Sequence, residues 1–259
     1  MSGIISPRLM LSRRSLIVGG TLGAAGMLSG CDMLSESESF RKILFMGESM
    51  NFHFQRALTS RDALAPEFDP SEISPFFRGN GSQNPNTPDY VAHAASNFAD
   101  WRIRVSGLVE RPLSVSMAEL RAMPQKSQIT LHNCVEGWSA IGGWTGVPLS
   151  TLLDAAGVRS SAKFIVFRCA DEIGGVPYYE VIDMPDARHP QTILAHMLNN
   201  QPLHRRNGAP VRLRVERQLG YKHAKYVNGI EAVASLDGIG QGKGGYWEDR
   251  IDYEWYAGI

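Results

Sequence analysis

The run QITLHNCVEGWSAIGGWTG, residues 128–146, places a cysteine where an alternating stretch ends. Alternation puts His132 and Cys134 on one face of a strand, with Leu131 and Asn133 on the other. At the strand's end the Cys134 sulfur can project into a cleft, where a thiolate serves as a nucleophile or a soft metal ligand. The alternative is a small buried hydrophobe, the usual fate of a free cysteine. A hydrolase built on Cys134 and His132 is conceivable, although neighbouring positions of one strand place a base poorly. Trp138 and Trp144 follow in a glycine-rich stretch and read as the walls of a loop.

A second chemical feature lies further along. The segment NGAPVRLRVERQLGYKHAK, residues 207–225, carries Arg212, Arg214, Arg217, Lys222 and Lys225. On a strand Arg212 and Arg214 share a face, and a cationic cluster suits phosphate or polar heterocycle oxygens. For any one of these residues the alternative is a solvated surface charge. GIGQGKGGYWEDR, residues 238–250, is glycine-rich but lacks the strand–helix setting of a phosphate loop. It reads as a cleft mouth or a flexible tail. There is no haem-attachment motif and no cysteine set for an iron–sulfur cluster. His53, His93, His189, His196 and His204 show no ligand spacing.

The stretch CVEGWSAIGGWTGVPLSTLL, residues 134–153, resembles the molybdopterin-binding domain of the sulfite oxidase superfamily. It is most similar to the bacterial periplasmic branch containing the methionine-sulfoxide reductase catalytic subunit. The likeness continues through KFIVFRCAD and RRNGAPVRLRVERQLGYKHAKYV and covers most of residues 101–234. It implies an α+β, mixed-sheet fold of the sulfite oxidase type and a molybdenum–molybdopterin cofactor. It also implies that Cys134 is the protein ligand to molybdenum, and that Asn207, Arg212, His223, Ala224 and Lys225 hold the pterin and its phosphate. Cys169 stands where the family has a threonine, so a hydroxyl contact is lost there. Phe77 and Arg78 fall on an upstream aromatic–acidic pair, with the charge reversed, and Asn80 lies in the same loop.

The implied function is an exported oxidoreductase exchanging two electrons, through oxygen-atom transfer, with a small substrate such as a sulfoxide or an oxyanion. With no second redox centre in the chain, the implied electron partner is a haem-bearing membrane subunit. The rival reading is a cofactor-free binding module that keeps the fold, and the third is the cysteine hydrolase.

The elements that must position these residues are short. WRIRVSGLVERPLSVS reads as two strands around a turn, and Ser116 with Glu119 forms a capping box before the helix MAELRAM. PLSTLLDAAGV is a helix that opens on Pro148 and stops at Gly157. QITLHNC, AKFIVFRCA, YYEVIDM, TILAHML, VRLRVER and YVNGIEAVA read as strands. Strands irregularly interleaved with short helices predict an α+β domain over 91–259. Upstream, residues 32–90 read as a tether, a peripheral helix over 40–58, and a long irregular loop over 65–90.

Residues 1–31 read as a leader. Arg8, Arg13 and Arg14 precede LIVGGTLGAAGMLSG, an apolar run too short for a comfortable membrane span of roughly twenty residues. The Arg13–Arg14 pair resembles a twin-arginine export signal. LSGC, ending at Cys31, resembles a lipobox, which predicts a lipid anchor at the membrane surface and a periplasmic location. The chain holds 26 basic and 26 acidic residues, and loss of those three arginines leaves an excess of acid. That balance excludes a general nucleic-acid binder. Cys134 and Cys169 are then the remaining cysteines, too few for a disulfide scaffold, although a pairing between them is open.

Overall fold

The computed structural model describes residues 36–259. The leader, Cys31 and the start of the tether lie outside the described residues. The chain divides into two compact units, Met1–Phe54 and Gln55–Ile259. The described part of the smaller unit belongs to the helix Glu38–Leu58, which starts slightly earlier than the sequence predicts. Glu38 in its first turn and Arg56 in its last suit the helix dipole. Ile43, Met46, Met50 and Phe54 form an exposed stripe along it. Among the described residues no helix is long and apolar enough to cross a membrane.

The larger unit is built on two sheets. The first runs in the order β2-β1-β10-β5-β6, with β1 at Arg102–Gly107, β2 at Leu113–Ser116, β5 at Phe164–Ile173, β6 at Val176–Asp183 and β10 at Val227–Val233. β1 pairs with β10 in parallel and the other neighbours are antiparallel, so the sheet is mixed. The second runs β3-β4-β7-β8, with β3 at Lys126–Asn133, β4 at Ser139–Pro148, β7 at Ile193–Leu198 and β8 at Gln201–Pro202. β9, Arg212–Arg214, joins it along β7. The architecture is the α+β class read from the sequence.

Alternation explains much of the first sheet: Ile103 and Val105 of β1 point inward while their neighbours are exposed. β5 is central and covered on both faces, so Ile165, Val166 and Phe167 are all fully buried. Leu149, Leu152 and Leu153 of the helix Leu149–Ala156 join the same core. That helix ends at Gly157, whose φ of 65° is the left-handed conformation that glycine adopts without strain. Ser116 and Glu119 form the predicted capping box, Ser116 Oγ accepting from the Glu119 N–H at 3.1 Å.

Three segments depart from the sequence reading. The glycine-rich stretch after Cys134 is not a loop beyond Trp138: it forms the ten-residue strand β4. Glycines depress strand propensity, but here two of them sit where neighbours leave no room for a side chain. A Cβ at Gly142 would lie 3.0 Å from Leu198 and 3.2 Å from Phe77, and one at Gly146 would overlap the Leu194 carbonyl. The expected strand 211–217 pairs only over Arg212–Arg214, because a turn follows in which the Gln218 N–H donates to the Val215 carbonyl at 3.0 Å. The irregular segment 65–90 contains a 3-10 turn, Pro70–Glu72, and its end enters the helix Pro88–Ala95.

Gly146 lies at the register shift between β4 and β7. Gly146→Ala should destabilise the fold by about 1–3 kcal/mol, the range for overpacking a filled interior. A lowered urea midpoint with an unchanged slope is the expected measurement.

Candidate functional site

Cys134 is the first residue after β3 and begins a tight turn. Its N–H donates to the Trp138 carbonyl at 2.9 Å, and its carbonyl accepts from the Gly137 N–H at 3.0 Å. Gly137 has φ 84°, which the turn requires. The turn aims Cys134 into a cavity of about 130 Å³. The other walls come from the 80–82 loop, Asp171 and Ile173 of β5, Tyr178 of β6, the segment 220–225, and Trp247 and Tyr253 near the C-terminus. A wider opening continues past Gly81–Asn86 and Trp247. Burial pushes the Cys134 thiol up, partly offset by a hydrogen bond from the Glu136 backbone. A metal ion binding there would displace the thiol proton.

β3 turns its polar residues inward. Gln128, Thr130 and His132 are fully buried while Ile129, Leu131 and Asn133 are partly exposed. The inward face meets an ion pair rather than an apolar core. Arg214 is fully buried and bidentate to Glu216, at 2.9 and 2.5 Å, and Glu216 also accepts from Gln128 at 2.8 Å. Arg214 Nη1 donates to His132 Nδ1 at 2.9 Å, which places the imidazole proton on Nε2. Burial, then Arg214 and Arg212, hold the His132 pKa well below its usual value. His132 Nε2 would lie 2.5 Å from a Cβ at Gly220, so glycine is required there. With Nδ1 occupied and Nε2 protonated, His132 is not placed to act as a base toward Cys134, which argues against the hydrolase.

The cationic cluster divides in two. Arg214 pairs with Glu216, Arg217 with Asp186 at 2.8 Å, and Lys222 with Glu180 and Glu248, all in the interior. Arg212 and Lys225 are also buried, yet among the described residues neither has a carboxylate within ion-pair distance. Arg212 donates to the carbonyls of Asn207, at 3.0 Å, and His223, at 3.2 Å, and lies over the Trp144 ring. Lys225 donates to the carbonyls of Asn80, at 2.5 Å, and Ser82. Burial and neighbouring positive charge draw the Arg212 pKa down to about 9 and that of Lys225 down to about 7. Buried cations without a counter-charge are costly. Arg212 Nε, Asn207 Nδ2 and His223 Nδ1 also lack partners. A phosphate-bearing polar cofactor with a soft metal fits this donor set.

The cavity therefore brings together Cys134, His223, Lys225 and Asn80. Arg212 and Asn207 are buried and bonded to each other, with Arg212 bonded also to the His223 backbone. Ala224 is in the core, its carbonyl accepting from the Leu213 N–H at 2.8 Å. Cys169 also sits in the core; Cys134 and Cys169 are both free, so they do not form a disulfide. Phe77 packs in a second apolar cluster, 5.4 Å from His132 and 5.1 Å from Trp144 between ring centres. Arg78 is exposed and does not line the cavity. Trp144 lies fully buried beneath Arg212 and Arg214 rather than walling a loop.

The sequence reading did not single out Asp171, Tyr178 or Tyr221 as cavity residues, and reached Trp247 only through the stretch 238–250 read as a cleft mouth. Asp171 stood in plain view, two positions after Cys169. The others carry no local signal, because tyrosine and tryptophan are ordinary core residues until the fold opens a cavity beside them.

A family model described as the oxidoreductase molybdopterin binding domain matches residues 90–237. A protein from Azospira oryzae, whose name assigns it as the protein-methionine-sulfoxide reductase subunit YedZ1, is 38% identical over 92% of this chain and 84% of its own length. The protein-methionine-sulfoxide reductase catalytic subunits MsrP of Xanthomonas campestris and Campylobacter jejuni are 38% and 35% identical. Those matches cover 54% and 52% of this chain and about half of each MsrP, 47% and 50%. Among solved structures, the sulfane dehydrogenase SoxCD of Paracoccus pantotrophus superposes with a TM-score of 0.50 at 24% identity, over 53% of this chain and 39% of that one, and so shares the fold.

The Arg214–Glu216 pair holds β3 against β9, and its loss should be felt as lost stability. Glu216→Gln removes the counter-charge of a fully buried guanidinium and should cost about 3–5 kcal/mol. A drop in thermal midpoint much larger than that of the exposed variant Glu110→Gln is the expected result.

Proposed function

Because this chain belongs to the oxidoreductase molybdopterin binding domain family and is a molybdenum-cofactor oxidoreductase, we propose that it is the catalytic subunit of an exported sulfoxide reductase. The observation that carries this reading is the pair of buried cations, Arg212 and Lys225, without carboxylate partners beside a cavity-lining thiol. Cys134 would hold the metal. Asn207, Arg212, His223 and Lys225 would meet the polar and phosphate groups, with the backbone of Ala224 and Cys169 behind them. Phe77 would support the site from the second core, and Arg78, exposed and outside the cavity lining, is left out of the cofactor set. When bound, the cofactor supplies the two electrons and accepts the oxygen atom.

The protein's own residues shape the substrate. Ile173, Tyr178, Trp247 and Tyr253 give the cavity an apolar and aromatic wall, and Asp171 and Glu136 add carboxylates to it. Lys225 is already engaged by backbone carbonyls. That lining favours a neutral sulfoxide with apolar arms over an oxyanion such as sulfite, which the Glu136 carboxylate would repel. The names of the relatives support the same choice and extend it to methionine sulfoxide. Electrons would come from a haem-bearing membrane subunit. The leader would deliver the folded, loaded enzyme to the periplasm, where a lipid on Cys31 would keep it beside that partner.

Protein purified from a molybdenum-replete host should contain molybdenum and pterin and reduce methionine sulfoxide with a reduced viologen as electron donor. Cys134→Ser should abolish turnover while leaving the fold intact; wild-type turnover in it would remove Cys134 as the functional ligand. Arg212→Ala loses hydrogen bonds made by a charged group, worth on the order of 1.5–3 kcal/mol, or roughly ten- to a hundredfold in cofactor affinity. It should purify with markedly less molybdenum, whereas Arg159→Ala, exposed after the helix Leu149–Ala156, should not.

Export is tested separately. Arg13→Lys with Arg14→Lys should leave the precursor in the cytoplasm, measured by fractionation, because the twin-arginine route reads the guanidinium pair and not charge alone. Normal export of the double variant would assign the general secretory route.

A further inference from the structure

Asp171 is the buried group in the cavity wall that the cofactor-binding set leaves unexplained. It lies on β5 between Arg168 and Glu172, where pairing with β6 slips out of register. Such irregularities re-aim a side chain, and here the residue both lines the cavity shared with Cys134 and is 97% removed from solvent, at 3% exposure. Among the described residues its Oδ1 has no hydrogen-bond partner, while the carboxyl as a whole is within reach of the Ser82 hydroxyl. A buried carboxylate oxygen left without a donor is costly when ionised, and a proton on the carboxyl relieves that cost.

We propose that Asp171 is the proton donor of this site, passing the proton of its carboxyl to the oxygen atom removed from the substrate; this rests on the sulfoxide-reducing reading above. The balance requires such a donor. Reducing R₂S=O to R₂S breaks the S–O bond and forms water, consuming two electrons and two protons. The electrons are supplied through the bound cofactor by the external electron donor. One proton comes from Asp171, and the second comes from water in the wider opening. That opening shares Gly81, Ser82 and Ile173 with the cavity and so gives the carboxyl a path to be reprotonated.

The neighbours of Asp171 suit the role. Lys225, Cys169, Tyr90, Tyr178 and Tyr226 are the titratable groups around it, and Lys225 is the cation among them. Burial raises the Asp171 pKa to about 6, with Lys225 pulling the other way. Lys225, drawn down to about 7, titrates in the same range, and Asp171 is the member of the pair whose carboxyl keeps an unpartnered oxygen in the cavity wall. A donor poised near the working pH is the efficient one.

The test compares wild type, Asp171→Asn and Asp171→Glu, each loaded with cofactor and matched for molybdenum content. Asp171→Asn should lower kcat for methionine sulfoxide at least about a hundredfold, the usual contribution of a positioned acid, with a much smaller change in KM. The wild-type kcat should fall as pH rises through the titration of Asp171. That limb should vanish in Asp171→Asn and return in Asp171→Glu. In the cofactor-free chain, infrared difference spectroscopy should show a carboxyl band titrating near pH 6, absent from Asp171→Asn. An unchanged kcat and pH profile in Asp171→Asn at equal molybdenum content overturns the proposal. So does a rate loss that only follows lost molybdenum, or a carboxyl band that persists in Asp171→Asn. Failure of the functional reading is distinguishable, because the loaded wild type would then itself reduce no sulfoxide.

Discussion

Five cationic side chains between residues 212 and 225 are drawn into the interior, and the way their charge is balanced organises the structure around them. Arg212, Arg214, Arg217, Lys222 and Lys225 are each at most 8% exposed. Each carries a desolvation penalty of several kcal/mol that must be offset within the fold. Glu216, Asp186, and the pair Glu180 and Glu248 offset three of them. For Arg212 the described residues offer carbonyl oxygens and an aromatic face, and for Lys225 the same with the Asp171 carboxyl beyond ion-pair distance. The imbalance is local, and it lies beside Cys134.

The balanced pairs are structural in their effect. Glu216 ties β9 to β3 through Arg214 and Gln128, and Asp186 gathers Arg217, Gln218 and Arg56. Lys222 sits between carboxylates from β6 and from the helix Tyr246–Ile251. That last contact fixes the segment bearing Trp247 and Tyr253, so the substrate-facing wall depends on an ion pair behind it. Glycines allow the close approach: Gly220 admits His132, and a side chain at Gly245 would displace Glu248 and Glu180. Rigid positioning of this kind is what a cofactor enzyme requires of its protein.

Much of the scaffold was legible from local pattern. Alternation located β1 and β3, the stretches read as strands include β5, β6, β7 and β10, and the Ser116–Glu119 box and Gly157 marked helix ends that the structure reproduces. β4 was missed because Gly142, Gly143 and Gly146 weaken the strand signal, and what selects Gly142 and Gly146 is the pressure of Phe77, Leu198 and the β7 backbone. β9 is shorter than its pattern because one edge of β7 accommodates only Arg212–Arg214 before the chain turns.

For the site, the sequence by itself determined which residues can do chemistry. A thiol at a strand end, an Asn–Gly–Ala–Pro run leading into Arg212, and a Lys225 that follows His223 and Ala224 are all written in order along the chain. It also determined that β3 turns Gln128, Thr130 and His132 to one face, since a strand's period of two leaves no choice. Only the tertiary structure decided what each charge meets. Whether a cation is solvated, neutralised by a carboxylate or left to await an anionic ligand depends on what the fold brings beside it: Glu180 of β6 and Glu248 answer Lys222, and among the described residues no carboxylate lies within ion-pair distance of Arg212. The same holds for Asp171, an ordinary surface residue by type, which becomes a buried carboxyl only because β5 slips its register beside the cavity. Hydrophobic periodicity is a local property of a chain, whereas desolvation and counter-charge belong to the assembled interior.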